Sequence, residues 1–323
     1  MNTLKSIQTE IQKNKLPPLL ARKFVGTKED AKGKTVRILQ WNVLAQALSQ
    51  GADNFILCPA EALKWENRSL RIVEELLRND ASILCLQEVD FFSTLKDHLG
   101  KAHFSGVFHP KPESPCLDQE INTGPDGCAI FYDERKLKML NSQNINLKFK
   151  EESTNQVAIL CKFEGINEKK DVGTFCVAVT HLKASPGFEE YRQTQMKYLL
   201  QILQKEVGQQ PLILAGDLNA QHTEPVYEEV VKSSFGLSSA YTFLSPKRVE
   251  PPFTTWQIRG GRRGNKEKNE TIDYVFFSKN HFQVRSILDI PGQDEIGEKR
   301  LPSLIYPSDH LSLVCDLELT KSK

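Results

Sequence analysis

The chain has 323 residues, of which 39% are hydrophobic and 26% are charged, and its formal net charge at pH 7 is +1. This composition is typical of a globular protein with one large core or two smaller ones, and the small net charge excludes a global attraction to nucleic acid or to an anionic membrane. Its apolar runs fall well short of the roughly 18 residues that a membrane-spanning helix needs.

The seven cysteines are an odd set without a Cys-x-x-Cys pair, and most of them lie in apolar, strand-like segments. We therefore expect buried, reduced thiols and not a disulfide framework. The N-terminal segment lacks the apolar core of a secretory signal. Its basic residues would suit a mitochondrial presequence, whereas Glu10 and the scarcity of serine and arginine argue against one. We expect a cytoplasmic protein, with mitochondria as the alternative compartment.

Residues 1–34 are predicted to form an N-terminal extension and linker. Ile7 and Ile11 could line one side of a short helix, which two consecutive prolines would end. Residues 28–34 are polar, as in a linker. We expect no catalytic residue in this segment.

The first two predicted core strands, residues 36–44 and 82–89, end in polar side chains. Asn42 is an amide on an otherwise apolar strand, and Glu88 follows an apolar run. A glutamate in such a place needs a cation, a set of hydrogen-bond donors or a metal ion. Between the two strands, residues 59–78 have the spacing of an amphipathic helix.

The middle of the chain is rich in predicted strands. Residues 104–111 lead into a proline-rich loop that could form the rim of a site. Further strands are predicted for residues 128–132, 137–147 and 156–163. Strands at such short spacing indicate an antiparallel sheet.

A strand predicted for residues 174–182 leads to His181 and Lys183, which stand two positions apart. A lone histidine is more often structural. A histidine and a lysine that face the same way at a strand end are better explained by a bound phosphate than by packing. Residues 187–206 are then predicted to form a helix.

The short apolar run 212–215 is predicted to be a buried strand, and Asp217 and Asn219 follow it. If the extended backbone persists, these two side chains point the same way. For this stretch alone, the simpler interpretation is a polar turn. The recurrence of polar side chains at other strand ends favours a shared site. Thr223 is predicted to cap the next helix.

The C-terminal part of the chain adds an arginine, two aspartates and a histidine. Arg259 closes an aromatic segment, and residues 260–270 are interpreted as a basic, solvated surface loop. Asp273 lies near the start of a predicted strand, and Asp309 and His310 directly precede another. Adjacent aspartate and histidine at a strand entrance indicate little by themselves.

Taken together, the strand ends offer a set of oxygen and imidazole ligands. The set consists of Asn42, Glu88, His181, Asp217, Asn219, Asp273, Asp309 and His310. Because no histidines and cysteines stand at zinc spacing, this oxygen-rich chemistry favours Mg²⁺, or Mn²⁺ in its place. A metal ion together with histidine and lysine suits the cleavage of phosphate esters, where positioning and charge neutralisation supply most of the catalysis.

Six short motifs resemble those of the exonuclease–endonuclease–phosphatase superfamily and occur in the same order. They are Gln40-Trp41-Asn42, Leu86-Gln87-Glu88, Thr180-His181-Leu182-Lys183, Gly216-Asp217-Leu218-Asn219, Ile272-Asp273-Tyr274 and Ser308-Asp309-His310. The resemblance covers residues 35–320, the predicted catalytic domain, and points to the deadenylase branch. It implies an α/β (α+β) fold, a four-layer α/β sandwich in which helices flank two packed, mostly antiparallel sheets. The site would lie at one edge, where the sheets meet.

The resemblance also implies which residues bind the metal ion. Glu88 would be the main Mg²⁺ ligand, with Asn42 and Asp309 nearby. Many endonucleases of the superfamily have a second carboxylate two residues after the asparagine. This chain has Leu44 at that position, so we expect a metal site with fewer carboxylates.

The catalytic roles follow from the same resemblance. Asp217 would orient or deprotonate the attacking water, and Asn219 would hold the phosphate. His310, oriented by Asp273, would stabilise charge on the phosphoryl group. His181 would donate a hydrogen bond to a non-bridging phosphate oxygen.

The deadenylase branch implies two kinds of substrate, each with an adenosine next to a phosphate. One is the 3′-terminal adenylate of messenger RNA, and the other is the 2′-phosphate of NADP⁺ and NADPH. Lys111, Lys183, Arg259 and Asn122 stand where the resemblance places groups around a bound dinucleotide. Vertebrate relatives of this kind carry an arginine where this chain has Ser185, and a charge-assisted phosphate contact is typically worth about 1.5–3 kcal/mol.

A dinucleotide phosphatase is the function that we favour, with a poly(A) exonuclease as the alternative. A polymer-processing enzyme would profit from a continuous basic track with aromatic stacking platforms, and residues 259–268 are the best candidate for one. A degenerate adaptor for an RNA-decay complex would have lost Glu88, Asp217 or His310, and a lipid phosphodiesterase would carry an apolar rim insertion. We expect a monomer without membrane insertion, with NADP(H) as partner and RNA as the alternative.

Overall fold

The computed structural model describes residues 3–26, 34–50, 55–260 and 264–320. In these ranges, the larger of two main sheets has seven strands. Their spatial order is β1 (Phe24–Gly26), β14 (Phe282–Leu288), β15 (Leu313–Leu319), β2 (Thr35–Asn42), β3 (Ile83–Gln87), β5 (Gly127–Asp133) and β4 (Phe104–Pro110).

The second main sheet has six strands in the described part of the chain. Their order is β10 (Leu237–Ser239), β13 (Asp273–Ser278), β9 (Leu212–Asp217), β8 (Thr174–His181), β7 (Glu152–Gly165) and β6 (Leu137–Phe149). A separate hairpin pairs β11 (Thr255–Arg259) with β12 (Lys266–Glu270).

Each main sheet contains one parallel pair of strands, β2 with β3 and β8 with β9, and its other neighbouring strands are antiparallel. A parallel pair needs a crossover connection, and a helix supplies it in both sheets. The helices are α1 (Thr3–Lys13), α2 (Ala60–Leu63), α3 (Trp65–Arg78), α4 (Phe92–Gly100), α5 (Glu189–Val207), α6 (Pro225–Val231) and α7 (Gln293–Ile296). Helix α3 connects β2 to β3, and α5 connects β8 to β9.

The alternation of side chains along each strand divides the core into three layers. On β2, Val36 and Ile38 face the second sheet, whereas Leu39 and Trp41 face the helices. The inner layer joins side chains of both sheets. One outer layer lies between the larger sheet and α1, α3 and α4, and the other between the second sheet and α5 and α6. The predicted four-layer sandwich of two mostly antiparallel sheets is confirmed.

Residues 3–26 of the predicted extension contact the rest of the described chain closely. Ile7 and Ile11 on α1 are each 5% exposed and pack in the same layer as α3. Strand β1 then pairs with β14 at the edge of the larger sheet. The predicted linker at 28–34 lies outside the described residues except for Lys34, and a domain boundary at residue 35 stays a prediction.

Several local predictions differ from the structure. Helix α6 has its N-cap at Glu224 with Pro225 in first position, so the predicted cap at Thr223 is wrong. Proline suits that position because its fixed φ and missing N–H cost nothing there. Part of the predicted loop 260–270 is strand β12, whose pairing with β11 orders it; residues 261–263 lie outside the described ranges. Helix α4 and strand β14 are elements that the sequence patterns do not predict.

Candidate active site

Polar side chains continue the apolar inner row of β2. Val36 and Ile38 face the second sheet, and the two-residue period then places Gln40 and Asn42 on the same face. Gln40 is fully buried, and its amide exchanges hydrogen bonds with that of Gln87, including one of 2.8 Å. This reciprocal pair satisfies two buried amides and leaves Asn42 as the last inner side chain at the strand end.

The second sheet places three polar side chains in one row. His181, Asp217 and Asp273 lie on the neighbouring strands β8, β9 and β13, and Asp217 stands in register with both of the others. They extend inner-facing apolar rows such as Val179 and Ala215. The register of three strands therefore brings together residues that lie far apart in the sequence.

The loops that follow β2, β3 and β9 each contain a non-glycine residue in the left-handed region of φ and ψ. The φ angles are 61° at Leu44, 56° at Glu88 and 50° at Asn219. For leucine and glutamate such a conformation costs on the order of 1–2 kcal/mol, whereas asparagine adopts it more readily. Because β9 ends at Asp217, the extended backbone that would point Asp217 and Asn219 the same way does not persist to Asn219.

One amide connects the two sheets at this edge. Asn42 Nδ2 donates to Glu88 Oε1 over 2.9 Å and to Asp217 Oδ2 over 3.0 Å. Asn42 Oδ1 accepts from the backbone N–H of Leu44 at 3.0 Å, which fixes the orientation of the amide. Asn42 is 1% exposed, so it lies behind Glu88 and Asp217 and holds both carboxylates in place.

His310 and Asp273 form a buried pair. His310 Nδ1 lies 2.9 Å from Asp273 Oδ2, which also accepts from Thr254 Oγ1 at 2.7 Å. Burial alone would lower the pKa of His310, but the carboxylates of Asp273 and Asp309 outweigh it and hold this pKa well above its usual value. Burial and the neighbouring Asp273 raise the pKa of Asp217.

His181 is arranged as a hydrogen-bond acceptor. Asn219 Nδ2 lies 3.0 Å from His181 Nε2 and 3.1 Å from the carbonyl oxygen of Leu182. Burial and the charge of Lys111 lower the pKa of His181 to about 4, so the ring is neutral near pH 7. Since Nε2 accepts from the Asn219 amide here, donation from His181 to a phosphate oxygen stays a prediction that requires these contacts to rearrange.

A pocket of about 310 Å³ opens onto this edge of the sandwich. The predicted residues that line it are Glu88, Lys111, His181, Lys183, Asp217, Asn219, Arg259, Asp309 and His310. Nine predicted residues from all parts of the chain thus share one cavity, whose size is within the range of small-molecule sites. Gln257 and Lys268 of the β11–β12 hairpin form part of its wall.

The donor set in the pocket suits a hard divalent cation. Glu88 is half-buried, and its Oε2 accepts from the N–H of Ala45 at 3.2 Å. Asp309 lines the same pocket and lies 3.3 Å from Arg259 Nη2. Carboxylate oxygens are the ligands that Mg²⁺ and Mn²⁺ prefer, so the residues present fit such an ion.

A second acidic group lies deeper. Ligand atoms of Asp217, Asp273 and His310 lie within 4.8 Å of one another, and Asp273 Oδ1 is buried without a hydrogen-bond partner in the described chain. However, His310 Nδ1 is already bonded to Asp273, and both aspartates are 1% exposed. We therefore regard Glu88, which reaches the open pocket, as the better centre for a cation.

Three of the four predicted substrate-binding residues reach the pocket. Lys111 and Lys183 line it, and Lys183 Nζ lies 5.0 Å from the ring centre of Phe188. Arg259 stacks over Phe55 at 4.7 Å. Asn122 is exposed, outside the pocket lining, and donates to the carbonyl oxygen of Gln119, so the structure does not bring it to the others.

Several partners of the site carry no signal that the sequence analysis could use. Asp126 is fully buried and forms a 2.6 Å ion pair with Lys111. Burial would lower the pKa of Lys111, but Asp126 and Glu88 raise it. In the sequence, Asp126 belongs to a Gly-Pro-Asp-Gly pattern that predicts a turn. The only available signal for its role in the site would have been a lysine in need of an acidic partner. Thr254 stands in no local pattern, and Lys268 belongs to the segment predicted as a basic surface loop.

Comparisons with known proteins agree with this geometry. The model of the "Endonuclease/Exonuclease/phosphatase family" matches residues 39–310. Nocturnin of Homo sapiens is 48% identical over 311 residues, which cover 94% of this chain and 70% of that protein. The 3′-5′-exoribonuclease subunit Ccr4 of the CCR4-Not complex of Neurospora crassa is 25% identical, over 95% of this chain and 48% of that protein.

Among solved structures, the human nocturnin catalytic domain with a bound sulfate anion is similar. The TM-score is 0.78 at 43% identity, and the match covers 94% of this chain and 100% of the nocturnin chain. In the described part of the chain, no helix has both the length and the apolar character needed to cross a membrane.

Proposed function

This chain belongs to the endonuclease/exonuclease/phosphatase family, as a nocturnin-like member of its deadenylase branch, and on that basis we propose that it removes the 2′-phosphate of NADP⁺ and NADPH. The products are NAD⁺ or NADH and inorganic phosphate. The coarser activity is that of a metal-dependent phosphoric-ester hydrolase, which the family membership establishes.

The observation that supports this substrate is the number of cationic side chains in the pocket, although Lys111, Arg259 and Lys268 each also pair with a carboxylate. Four cationic side chains, Lys111, Lys183, Arg259 and Lys268, line a cavity of about 310 Å³. Arg259 and Lys268 come from the two strands of one hairpin, and Lys111 and Lys183 follow β4 and β8. A dinucleotide with a pyrophosphate and a 2′-phosphate offers several anionic groups to such a set, and charge-assisted contacts are the strong ones. Lys268 lines this pocket, whereas Ser185 lies outside its lining.

We assign the cation to Mg²⁺, with Mn²⁺ as a substitute. Glu88 would be its main ligand, and Asp309 would face it from the opposite loop. Asn42 would orient Glu88 through the 2.9 Å hydrogen bond. When bound, the ion would neutralise charge on the phosphoryl oxygens.

The chain's own groups would supply the rest of the reaction. Asp217, whose pKa burial raises, would orient or deprotonate the attacking water as a general base. His310 would hold a proton and stabilise negative charge on the phosphoryl group, with its ring fixed by Asp273 at 2.9 Å. Asn219 and His181 would contact the phosphate after releasing the hydrogen bond between them.

Removal of 3′-terminal adenylates from RNA is the second candidate. It is favoured by the match to Ccr4, which is a 3′-5′-exoribonuclease subunit. The exposed Phe188 beside Lys183 could also stack a base at the pocket mouth. However, Glu189 and Glu190 directly follow Phe188 in the chain, and their negative charges disfavour the binding of a polyanionic strand there.

A paired assay with Mg²⁺ tests the two functions. The protein is given NADPH and, separately, an RNA with a 3′-oligoadenylate end. We expect phosphate release from NADPH without shortening of the RNA. Glu88→Ala is the control against a contaminating phosphatase and should lower phosphate release by about 100-fold or more. RNA shortening without phosphate release would reverse the assignment, and full activity of Glu88→Ala would refute the metal ligand.

A further inference from the structure

Two buried arginines occupy equivalent positions in the two halves of the sandwich. Arg68 is the fourth residue of α3, which begins at Trp65, and Arg192 is the fourth residue of α5, which begins at Glu189. Both helices cross over between the strands of a parallel pair. The two residues are 0% and 2% exposed. A buried arginine is rare and costly unless its donors are satisfied.

Arg68 binds the loops on the cation side of the site. Its guanidinium donates to the carbonyl oxygens of Val43 at 3.1 Å, Leu44 at 2.6 Å and Pro307 at 2.9 Å. The first two follow Asn42, and Pro307 precedes Asp309 by two residues. One side chain therefore fixes both the exit of β2 and the loop that presents Asp309.

A fourth hydrogen bond of Arg68 extends this connection to the loop after β3. Arg68 Nε donates to Gln46 Oε1 at 2.8 Å. The N–H groups of Gln46 and Ala47 each donate to the carboxylate of Asp90 at 2.9 Å. Asp90 stands two residues after Glu88, so Arg68 connects the exit of β2 with both loops that carry the proposed cation ligands, Glu88 and Asp309.

The charge of Arg68 acts on the site without occupying its ligand atoms. Its four hydrogen bonds go to neutral oxygens. Burial lowers the pKa of Arg68 to about 10, against the opposite effect of Asp90, Asp309 and Glu88. The group is thus protonated at neutral pH.

Arg192 binds the loop on the opposite side of the pocket. Its guanidinium donates to the carbonyl oxygens of Lys183 at 3.1 Å and Ser185 at 2.9 Å. It is held by an ion pair of 2.6 Å with Glu224. The backbone of Lys183 also donates to Gln195 on the same helix. Arg192 therefore fixes the loop that presents Lys183 and touches none of the proposed cation ligands.

We infer that these arginines are two positioning residues with separate tasks, Arg68 for the binding of the divalent cation and Arg192 for the binding of the substrate. The inference rests on the proposed hydrolase site and holds for either candidate substrate. Both residues act through backbone carbonyls, which a planar guanidinium can span and a lysine ammonium cannot.

The matched variants Arg68→Lys and Arg192→Lys test this division, since each keeps the charge and removes the planar fork. Mn²⁺ binding is measured without substrate from the electron paramagnetic resonance of the free ion. We expect Arg68→Lys to weaken Mn²⁺ binding by about 10- to 100-fold, as is typical of residues that orient metal ligands. Arg192→Lys should leave Mn²⁺ binding within about twofold and, at saturating Mg²⁺, raise the KM of the hydrolysed substrate about tenfold.

Gln46→Ala provides a milder variant in case Arg68→Lys fails to fold, because it removes only the connection between Arg68 and Asp90. It should weaken Mn²⁺ binding in the same direction by a smaller factor. Equal effects of the two arginine variants on Mn²⁺ affinity, or unchanged Mn²⁺ affinity in Arg68→Lys and Gln46→Ala, would overturn the inference. The Mn²⁺ measurement needs no substrate, so a failure to hydrolyse NADPH would refute the proposed function and leave this result intact.

Discussion

Asn42 connects the two sides of the candidate site. It is neutral and 1% exposed, yet its Nδ2 connects Glu88, directly after β3, with Asp217 at the end of β9. A carboxylate in this position would repel both neighbours. The amide brings two negatively charged groups near each other at low cost, because each accepts a fixed hydrogen bond.

Lys183 is the residue for which recognition and catalysis can be separated. It lines the pocket mouth beside Phe188 and does not contact the His310–Asp273 pair. Lys183→Ala should raise the KM for NADPH about tenfold, since a lost charge-assisted contact costs about 1.5–3 kcal/mol. Hydrolysis of p-nitrophenyl phosphate, which lacks the dinucleotide, should change little.

The matched control for this variant is Lys205→Ala, which removes an 83% exposed lysine from α5 and should leave both activities unchanged. Equal losses on NADPH and on p-nitrophenyl phosphate would show that Lys183 serves the chemical step and not substrate recognition.

At the scale of elements, strand register and crossover helices position the site. Asp217 stands beside His181 on one strand and Asp273 on another because β8, β9 and β13 keep one register. The close approach of β8 and β9 needs Gly216, since a Cβ at that position would lie 2.3 Å from the carbonyl oxygen of Thr180.

Gly216→Ala should therefore push apart the strands that carry His181 and Asp217. We expect a loss of stability of about 1–3 kcal/mol, as for other overpacked sites, with reduced hydrolysis even below the melting temperature. Urea unfolding gives the first quantity and a phosphate-release assay the second.

Gly100→Ala is the control, because a Cβ at Gly100 meets nothing within 4 Å. It should leave stability and activity unchanged or slightly improved. If Gly216→Ala behaved like this control, β8 and β9 would have room that the structure does not show.

At the scale of the whole molecule, the N-terminal segment contributes to the core. Ile7 and Ile11 are buried in the layer between α1 and α3. After α1, the backbone carbonyls of Pro17 and Leu20 accept hydrogen bonds from Arg71 and Arg78. Arg22 of the same segment donates to the carbonyl oxygen of Asp289. The sequence pattern predicts an extension here because polar residues surround the two isoleucines.

Ile11→Ala should lower the free energy of unfolding by about 2 kcal/mol, the lower part of the range for a buried isoleucine. Activity at low temperature should remain, since α1 does not line the pocket. Lys5→Ala, on the same helix and exposed, is the control. An unchanged melting temperature of Ile11→Ala would mean that α1 does not pack on the domain in solution.

Local sequence patterns indicate many of the strands and helices and the chemistry that the site offers, whereas the four-layer fold class is implied by the motif resemblance. Strand alternation and recurring polar strand ends indicate Asn42, Glu88, Asp217, Asp273 and His310 as candidates, and the motif resemblance adds a role for each of them. These features depend on residues that are neighbours in the chain, so they can be found without knowing what packs against them.

Which side chains touch is a property of the tertiary structure. The pairing of Lys111 with Asp126, the carbonyl contacts of Arg68 and Arg192, and the exclusion of Asn122 from the pocket depend on loops that meet across the sandwich. The left-handed turn at Asn219 also breaks the expected two-residue period. Buried charges are stabilised by partners that are distant in the sequence, and local periodicity contains no information about such partners.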